Sequence, residues 1–462
     1  MREFTRESNG SPMTGCKCSM TRPSNIALIS LIAVVGGVLG YLPASAQLTP
    51  AADQSLPFEK LVVPTTLAWS VVPPSIDPVM GTDGRIHLAY EMLFTNTVKL
   101  LFPNTTNGTV RLDSVEVVDP AHDNKAVGIN HVLAPNNGDA TAQFYSLAKP
   151  STCLCADDYS HKLGPGESAV MYFDVTFKDF TSVPDEIAHR VSASAAVTDK
   201  TAGPATEEPQ IVEDPIPPRM VAIGGAVKVE ASRAIMLSPP LRGDGWVDSN
   251  GCCAIVGAHR FTIMPGSGSL YTPQRFAIDY LQIDAQGRAW VGKVTNVRDW
   301  KGFGAEVRSA GRGQVVSAVD GYDDNVPSEE PKNITPANIA GNHVIVDLGN
   351  GTFALYGHLK KGSVIPKRGE FVSRGQLLGF VGNSGNSGAP HLHFEIMAAP
   401  SSLEVNGLPF VFDKMQYQGA VTGTWQHFLD DLFAGRSVQV DSARSGMRTG
   451  QMPLTLDVMS YM

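Results

Sequence analysis

The sequence predicts an all-β protein of at least two domains. The chain has 462 residues, a length that accommodates two to three domains of ordinary size. Its 45 glycines and 32 prolines, with only 18% charged residues, are typical of short strands joined by many turns. Apolar and polar residues alternate in repeated short runs, which is the period of a strand. The net charge of −9, without a basic stripe, disfavours a nucleic-acid partner.

Residues 1–46 are predicted to be a secretory signal peptide. The apolar stretch Ile26–Leu42 follows the basic residues Lys17 and Arg22 and precedes a small-residue cleavage site that ends at Ala46. We therefore expect export to a periplasm or to the exterior of the cell, with no stable membrane span after cleavage. The alternative is that the stretch is retained as an N-terminal anchor, although it is at the short limit for a span.

Residues 84–198 are predicted to form an immunoglobulin-like β-sandwich. Four runs alternate like strands and are separated by loops rich in Asn, Gly and Pro, as in a small sandwich. The Pro-rich residues 47–83 before them are expected to be irregular, and the acidic, Pro-rich residues 199–220 after them are expected to be a stiff linker. The four runs are Arg85–Met92, Arg111–Val118, Ala169–Phe177 and His189–Val197.

Residues 221–415 are predicted to form a second β domain, followed by a C-terminal extension at 416–462. The runs Ala258–Met264 and Pro273–Ile283 are predicted to pair as a hairpin around the intervening Pro-Gly loop. Further predicted elements are the strands Gly304–Val319, His343–Leu348, Thr352–His358, Gly375–Val381 and His391–Met397, a two-residue hairpin turn at Asn350–Gly351 and a short helix within Gly423–Leu432.

Four cysteines follow the predicted cleavage site. An exported chain with four cysteines is expected to contain disulfides, and the three possible pairings remain open. The sequence has no C-x-x-C pair, which argues against a cysteine zinc site. The four are Cys153, Cys155, Cys252 and Cys253.

The segment His391–Glu395 carries the clearest chemical signal. On a strand, His391 and His393 project to one face, while Leu392 and Phe394 take the other. Two adjacent imidazoles suit a metal site, because neutral imidazole is a common zinc ligand. The alternative is that two histidines decorate a half-buried strand.

Three motifs in a fixed order favour a metal site over two histidines that merely decorate a strand. They are Y-G-H-L at Tyr356–Leu359, G-N-S-G-N-S at Gly382–Ser387 and H-L-H-F-E at His391–Glu395. Over about residues 255–415 the chain resembles the lysostaphin-type zinc metallopeptidases, which cut peptides of bacterial peptidoglycan. The resemblance implies a barrel-like β-sheet core of the duplicated hybrid motif type and one zinc per chain.

The resemblance also implies roles for individual residues. His393 and Asp279 fall on zinc ligands, His391 falls on the general base that activates water, and His358 falls on a group that stabilises the oxyanion. Asn383 and Ser384 are assigned to substrate binding.

One expected ligand is missing from the H-x-x-x-D element of the family. Arg275 stands four residues before Asp279, where the histidine belongs, and a guanidinium has no lone pair to donate. The predicted hairpin places Asp279 near Ala258, so His259 is a candidate substitute ligand if a bulge corrects its face. Arg275 either grips a substrate carboxylate or forms an ion pair with Asp279.

Three functions remain open from the sequence. The first is a zinc metalloendopeptidase that acts on peptidoglycan peptides, with latency imposed by the N-terminal domain or a loop. The second is an inactive relative that binds cell-wall peptide or regulates another cell-wall hydrolase. The third is a purely structural or adhesive β protein, against which the retention of three histidines argues.

Overall fold

Strands dominate the chain in the computed structural model, which describes residues 65–101, 108–127, 144–146, 161–197, 219–231, 234–255 and 257–462. The strands of the N-terminal half are β1 Leu67–Val71, β2 Ser75–Ile76, β3 Val79–Met80, β4 Ile86–Asn96, β5 Gly108–Asp119, β6 Lys125–Ala126, β7 Phe144–Ser146, β8 Lys162–Leu163, β9 Ser168–Phe177, β10 Glu186–Val197 and β11 Arg219–Val229.

The C-terminal half contributes β12 Ile235–Leu237, β13 Gly243–Asp248, β14 Met264–Gly266, β15 Ser269–Tyr271, β16 Ile278–Gln282, β17 Glu306–Arg308, β18 Gly313–Val319, β19 Asn342–Gly349, β20 Thr352–Leu359, β21 Phe371–Val372, β22 Leu377–Phe380, β23 Leu392–Met397, β24 Gly407–Leu408, β25 Phe410–Phe412, β26 Met415–Val421, β27 Val440–Asp441, β28 Gly446–Arg448 and β29 Asp457–Tyr461. Helix in the described part is limited to α1 Val98–Leu101, α2 Trp425–Ala434 and two short 3₁₀ turns, Phe180–Ser182 and Val297–Asp299. The all-β prediction is confirmed.

The N-terminal strands form two sheets that pack around one apolar core. One sheet has the order β1-β4-β9-β7, with β3 beside β4, and the other has the order β2-β11-β10-β5-β6, with β8 beside β5. Strand β4 shows the alternation clearly, because Leu88, Tyr90 and Met92 enter this core while the residues between them face the other way. The strands form a sandwich, and its immunoglobulin-like type remains a prediction.

Two boundaries of this sandwich differ from the sequence-based expectation. The prediction of an irregular segment at 47–83 is wrong for its second half, where β1, β2 and β3 form. The prolines that suggested irregularity lie between these strands, where no ladder hydrogen bond is lost. At the other end, β11 pairs along β10, so the sandwich continues through Val229. Residues 198–218, which include most of the predicted linker, lie outside the described residues.

The C-terminal half is built on one long sheet with the order β21-β18-β19-β20-β23-β16-β13-β29-β26-β27. Residues 416–462, expected to be an extension, supply β29 and nearly all of β26, so they belong to this sheet. The predicted short helix is confirmed as α2, which starts at the capping side chain of Thr424 and ends at Gly435 in the left-handed region. Its residues Phe428 and Leu432 are buried against the sheet. Thr65–Met462 forms one compact unit.

One predicted hairpin is confirmed and another is wrong. Asn350 and Gly351 have positive φ angles of 53° and 71° and join β19 to β20 in a two-residue turn. The hairpin predicted between 258–264 and 273–283 is limited to β14 and β15, where Met264 pairs with Tyr271. The longer pairing fails because β16 is already hydrogen-bonded on both edges, to β13 and to β23. His259 therefore lies in a turn and not on a strand.

The neighbouring cysteines Cys252 and Cys253 are bonded to each other and buried. Of the three possible pairings, only the one that joins Cys252 to Cys253 agrees with this bond. Cys153 and Cys155 lie outside the described residues. None of the helices within the described ranges could span a lipid bilayer.

Candidate metal centre

Two neighbouring strands bring the first part of the site together. Strands β16 and β23 pair in antiparallel fashion with Asp279 opposite His393. The alternation predicted for His391–Glu395 is realised, because Leu392 and Phe394 are fully buried in the core below the sheet. His391 and His393 therefore share the opposite face, and each has a ring nitrogen near Asp279 Oδ1, at 3.2 Å for His391 Nε2 and 2.9 Å for His393 Nδ1.

His259 completes a cluster of three potential metal ligands with Asp279 and His393. One ligand atom from each residue lies within 4.8 Å of the other two, and all three residues are buried. His259 Nε2 is 3.3 Å from Asp279 Oδ2, and the His259 and His393 rings meet edge to face with centroids 4.9 Å apart. Two imidazoles and one carboxylate form a donor set that catalytic zinc sites use.

Hydrogen bonds fix which nitrogen of His259 faces the cluster. Its Nδ1 lies 3.0 Å from the carbonyl oxygen of Asn250 and 3.1 Å from that of Ala277. Because a carbonyl oxygen only accepts, Nδ1 carries a proton, and Nε2 is the nitrogen that faces Asp279. Such a carbonyl partner is the usual way to orient a ligating histidine.

Two further residues support the cluster, and the sequence analysis did not assign a role to either. Asn250 donates its side-chain amide to Asp279 Oδ2 at 2.8 Å, so it contacts two of the three candidate ligands. Glu395 lies 3.8 Å from His393 Nε2, with both carboxylate oxygens buried and lacking a hydrogen-bond partner. Strand alternation from His391 through His393 indicates the position of Glu395, whereas Asn250 lies in a loop that carries no such signal.

His391 presents its second ring nitrogen to the same space. Its Nδ1 donates to the carbonyl oxygen of Ala389 at 2.7 Å and lies 3.2 Å from the Ser387 hydroxyl. Its buried Nε2 lies 3.2 Å from Asp279 Oδ1. His391 therefore contacts the candidate ligand Asp279 directly.

His358 faces His391 from the neighbouring strand β20. Its ring centroid is 4.8 Å from that of His391, and its Nδ1 donates to the carbonyl oxygen of Ser384 at 2.8 Å. Burial, followed by the charges of His391 and His393, keeps the pKa of His358 well below 6.5. A neutral His358 with its proton on Nδ1 presents an acceptor at Nε2, so it can donate to an oxyanion only after it takes up a proton.

The charges inside the site depend on these contacts. Burial alone would raise the pKa of Asp279, but the charges of His259 and His391 hold it well below 3.8, so the carboxylate is ionised and able to bind a metal. Burial would lower the pKa of His393, but its hydrogen bond to Asp279 and the nearby Glu395 raise it to about 10. A metal must therefore displace a proton from His393.

Arg275 points away from the candidate metal centre. Its guanidinium donates from Nε and Nη2 to Glu91 of the N-terminal sandwich, at 3.0 Å and 2.5 Å from Oε2. The side chain is buried, so neither expected role fits this structure. Arg275 does not pair with Asp279, and its bidentate capacity is already used, so it is not free for a substrate carboxylate.

Asn383 and Ser384 are also committed within the fold. Both are fully buried. Asn383 donates to the carbonyl oxygen of Asn325 and accepts from Ser387, while the Ser384 hydroxyl donates to the carbonyl oxygen of Leu359. Their side chains hold the loops beside the site together, and this geometry gives no support to the predicted substrate contacts.

Comparison with known proteins gives a family match within the C-terminal half. Residues 298–406 match the model of Peptidase family M23. The chain is 45% identical over 58 residues to Peptidoglycan DD-endopeptidase ShyA of Vibrio cholerae serotype O1, covering 13% of this chain and 13% of that protein. It is 32% identical over 95 residues to Peptidoglycan DD-endopeptidase ShyB of the same organism, covering 21% and 18%. The chain thus spans less than a fifth of the length of these relatives.

Among solved structures, the chain is similar to the catalytic domain of the antimicrobial peptidase lysostaphin from Staphylococcus simulans. The identity is 20%, with 36% of this chain and 84% of that chain covered and a TM-score of 0.19. A score this low adds nothing to the assignment, which depends on the family match and the motifs. The C-terminal half of the chain therefore contains a Peptidase family M23 domain of the lysostaphin type.

Proposed function

We propose that this chain is a zinc-dependent endopeptidase that hydrolyses an amide bond in the peptides of bacterial peptidoglycan. The family match and the names of the two Vibrio relatives support the reaction class and the substrate class. The observation that carries the proposal is the convergence of His259, Asp279 and His393 beside the buried Nε2 of His391.

The three clustered residues would hold one zinc per chain. The donor set fits zinc, because His259 offers an oriented Nε2, Asp279 is ionised and Glu395 lies beside the far nitrogen of His393. When bound, zinc supplies Lewis-acid chemistry that polarises a carbonyl and lowers the pKa of water. His259 thus takes the ligand position that Arg275 vacates in the sequence motif.

His391 would act as the general base. The carbonyl oxygen of Ala389 holds its proton on Nδ1, so Nε2 is available to accept a proton from the attacking water. The same proton can later be returned to the leaving amine. The Ser387 hydroxyl also lies 3.2 Å from Nδ1, so two groups orient this imidazole.

The family resemblance assigns His358 to stabilisation of the developing oxyanion. Its Nδ1 donates to the carbonyl oxygen of Ser384, and its ring lies beside that of His391. Donation from Nε2 would need a second proton, which the lowered pKa of His358 opposes. We therefore place His358 in the wall of the site and propose no proton-transfer step for it.

We further propose that the protein acts in the bacterial envelope after export. The predicted signal peptide at residues 1–46 supports this location, and it lies outside the described residues. A regulatory role toward another cell-wall hydrolase is the competing proposal, and the experiment below separates the two.

The test is hydrolysis of purified peptidoglycan by zinc-loaded protein, measured as newly released amino groups and soluble fragments. His391→Ala should remove activity, and His427→Ala is the matched control because His427 is exposed on α2, away from the site. Zinc content of wild type and both variants is measured by elemental analysis in parallel. Zinc-loaded wild type that binds peptidoglycan without releasing amino groups would overturn the peptidase proposal in favour of a binding or regulatory protein.

A further inference from the structure

We infer that the N-terminal sandwich is a structural part of the metal centre, with Glu91 as the positioning residue that holds the loop carrying His259. The inference deepens the proposed function, because it concerns the assembly of the same zinc site. The loop in question consists of residues 249–255 and 257–263, and it is called the ligand loop below. It lies between the peptidase sheet and the sandwich.

The sandwich presents one face of β4 to the peptidase domain. His87, Ala89 and Glu91 alternate with the core residues of that strand, so they share the outer face. Ala89 is buried in the peptidase core together with Cys252 and Cys253 of the ligand loop. The two domains therefore share an apolar core at this point.

The neighbouring strand β9 extends the same contact. Its residues Val170 and Tyr172 form an apolar cluster with Ile255 of the ligand loop, and Phe261 and Ile263 pack against it. The Tyr172 and Phe261 rings meet edge to face with centroids 5.1 Å apart. The loop is thus clamped on both sides of His259 by residues of the sandwich.

Glu91 supplies the polar anchor of this clamp. It is completely buried and accepts hydrogen bonds from Arg260 Nη1 at 3.1 Å and from Arg275 Nε and Nη2. Arg260 also donates to the carbonyl oxygen of Phe173 at 2.9 Å. A buried carboxylate shared by two guanidiniums resists removal, because either cation left alone would be buried without compensation.

The two arginines that bind Glu91 lie close in sequence to candidate metal ligands. Arg260 directly follows the candidate ligand His259, and Arg275 precedes Asp279 by four residues. The residue that fills the family's histidine position therefore binds the sandwich, and the sandwich in turn holds the loop that supplies the substitute histidine. Asp279 and His393 need no such help, because paired strands fix them.

The test compares zinc affinity in Glu91→Gln with that in Glu116→Gln. Glu116 also pairs with an arginine, Arg190, but within the other sheet of the sandwich, so this variant controls for the loss of an Arg–Glu pair. We expect Glu91→Gln to weaken zinc binding about 10-fold, the low end of what losing a direct partner of a ligand costs, because Glu91 acts on His259 through Arg260. Glu116→Gln should leave zinc binding unchanged. The visible spectrum of the Co²⁺-substituted protein should change only in Glu91→Gln.

A double variant separates positioning from general loosening. If Glu91 acts through His259, Glu91→Gln should not weaken the residual zinc binding of His259→Ala any further, as measured by titration with free zinc at concentrations that load this weakened site. Additive losses, or wild-type zinc affinity in folded Glu91→Gln, would overturn the inference. If Glu91→Gln does not fold, Glu91→Gln with Arg275→Gln replaces it, because that pair removes opposite charges together.

Failure of the proposed function gives a different result. If wild type binds no zinc, amide hydrogen exchange of the ligand loop in the metal-free protein becomes the measurement. Faster exchange at residues 257–263 in Glu91→Gln, with no change in Glu116→Gln, supports the positioning role by itself. Unchanged exchange in both variants overturns it.

Discussion

Two regions of the molecule supply the candidate ligands, and they are held in different ways. Asp279 and His393 lie opposite each other on paired strands of the central sheet, where backbone hydrogen bonds fix their separation. His259 lies in a turn that depends on contacts with a second domain. If zinc binds as proposed, two of its ligands are fixed by strand pairing and the third depends on the contacts that order its loop.

Replacing one candidate ligand from each region should have the greatest consequence for zinc binding. We predict that His393→Ala and His259→Ala each reduce zinc from about one per chain to nearly none after dialysis, because two remaining protein ligands hold zinc weakly. Elemental analysis of the dialysed proteins measures this, with circular dichroism as the check on folding. If His259→Ala retains zinc while His393→Ala loses it, the loop is not part of the site.

His391 shares a face with the candidate ligand His393 but is proposed as the general base and not as a ligand. We predict that His391→Ala lowers kcat/KM for peptidoglycan peptides by roughly 10²- to 10⁴-fold, the usual contribution of a general base, while zinc content stays at the wild-type level. Steady-state kinetics and elemental analysis on the same preparation measure both quantities. Loss of zinc together with activity would place His391 among the ligands instead.

The strand-borne part of the site could be predicted from sequence for a physical reason. Alternation has a fixed period of two, so the H-x-H spacing alone predicts His391 and His393 on one face. Asp279 is added only by the resemblance to the family. The fold was predictable on the same ground, since β4, β5, β9 and β10 all alternate.

The sequence predicts His259 as a ligand only from a wrong premise. That premise is a long hairpin, which does not form because β16 has partners on both edges. The orientation of Arg275 could not be inferred either, since its partner Glu91 lies 184 residues away along the chain in another domain. Contacts between distant segments leave no periodic signal within either segment.

A third prediction concerns the outer face of the sandwich that clamps the loop. His87 is buried there and hydrogen-bonded through Nδ1 to Asp174 and through Nε2 to Asp83. Burial lowers its pKa, but the charge and hydrogen bond of Asp174, with Asp83, raise it to about 10. Because the folded pKa exceeds the usual 6.5, the stabilisation is complete below pH 6.5 and is lost as pH rises to 10. We expect His87→Gln to lower the free energy of unfolding at pH 7 by a few kcal/mol, and by much less at pH 10.

Denaturant unfolding of the metal-free protein between pH 6 and pH 10 measures this difference. His393 has a pKa of about 10 as well, so the quantity to compare is the difference between wild type and His87→Gln and not the slope of either curve. The exposed His427→Gln is the control and should follow the wild-type curve throughout. A difference that stays constant across this range would show that His87 contributes packing and not charge.

Loss of one hydrogen bond between the peptidase domain and the other side of the ligand loop should reduce zinc affinity only modestly. Trp425 of α2 donates its Nε1 hydrogen to the carbonyl oxygen of Ser249 at 2.5 Å, at the start of the loop. Trp425→Phe removes a bond worth about 1 kcal/mol, which corresponds to about a fivefold loss of zinc affinity if the bond serves mainly to order the loop. Trp290→Phe is the matched control, because Trp290 donates in the same way to the carbonyl oxygen of Leu432, away from the loop.

Titration with a zinc chelator measures the zinc affinities of both variants. Equal losses in the two variants would mean that the indole bonds stabilise the domain as a whole, whereas a loss confined to Trp425→Phe would show that His259 depends on anchors in both domains.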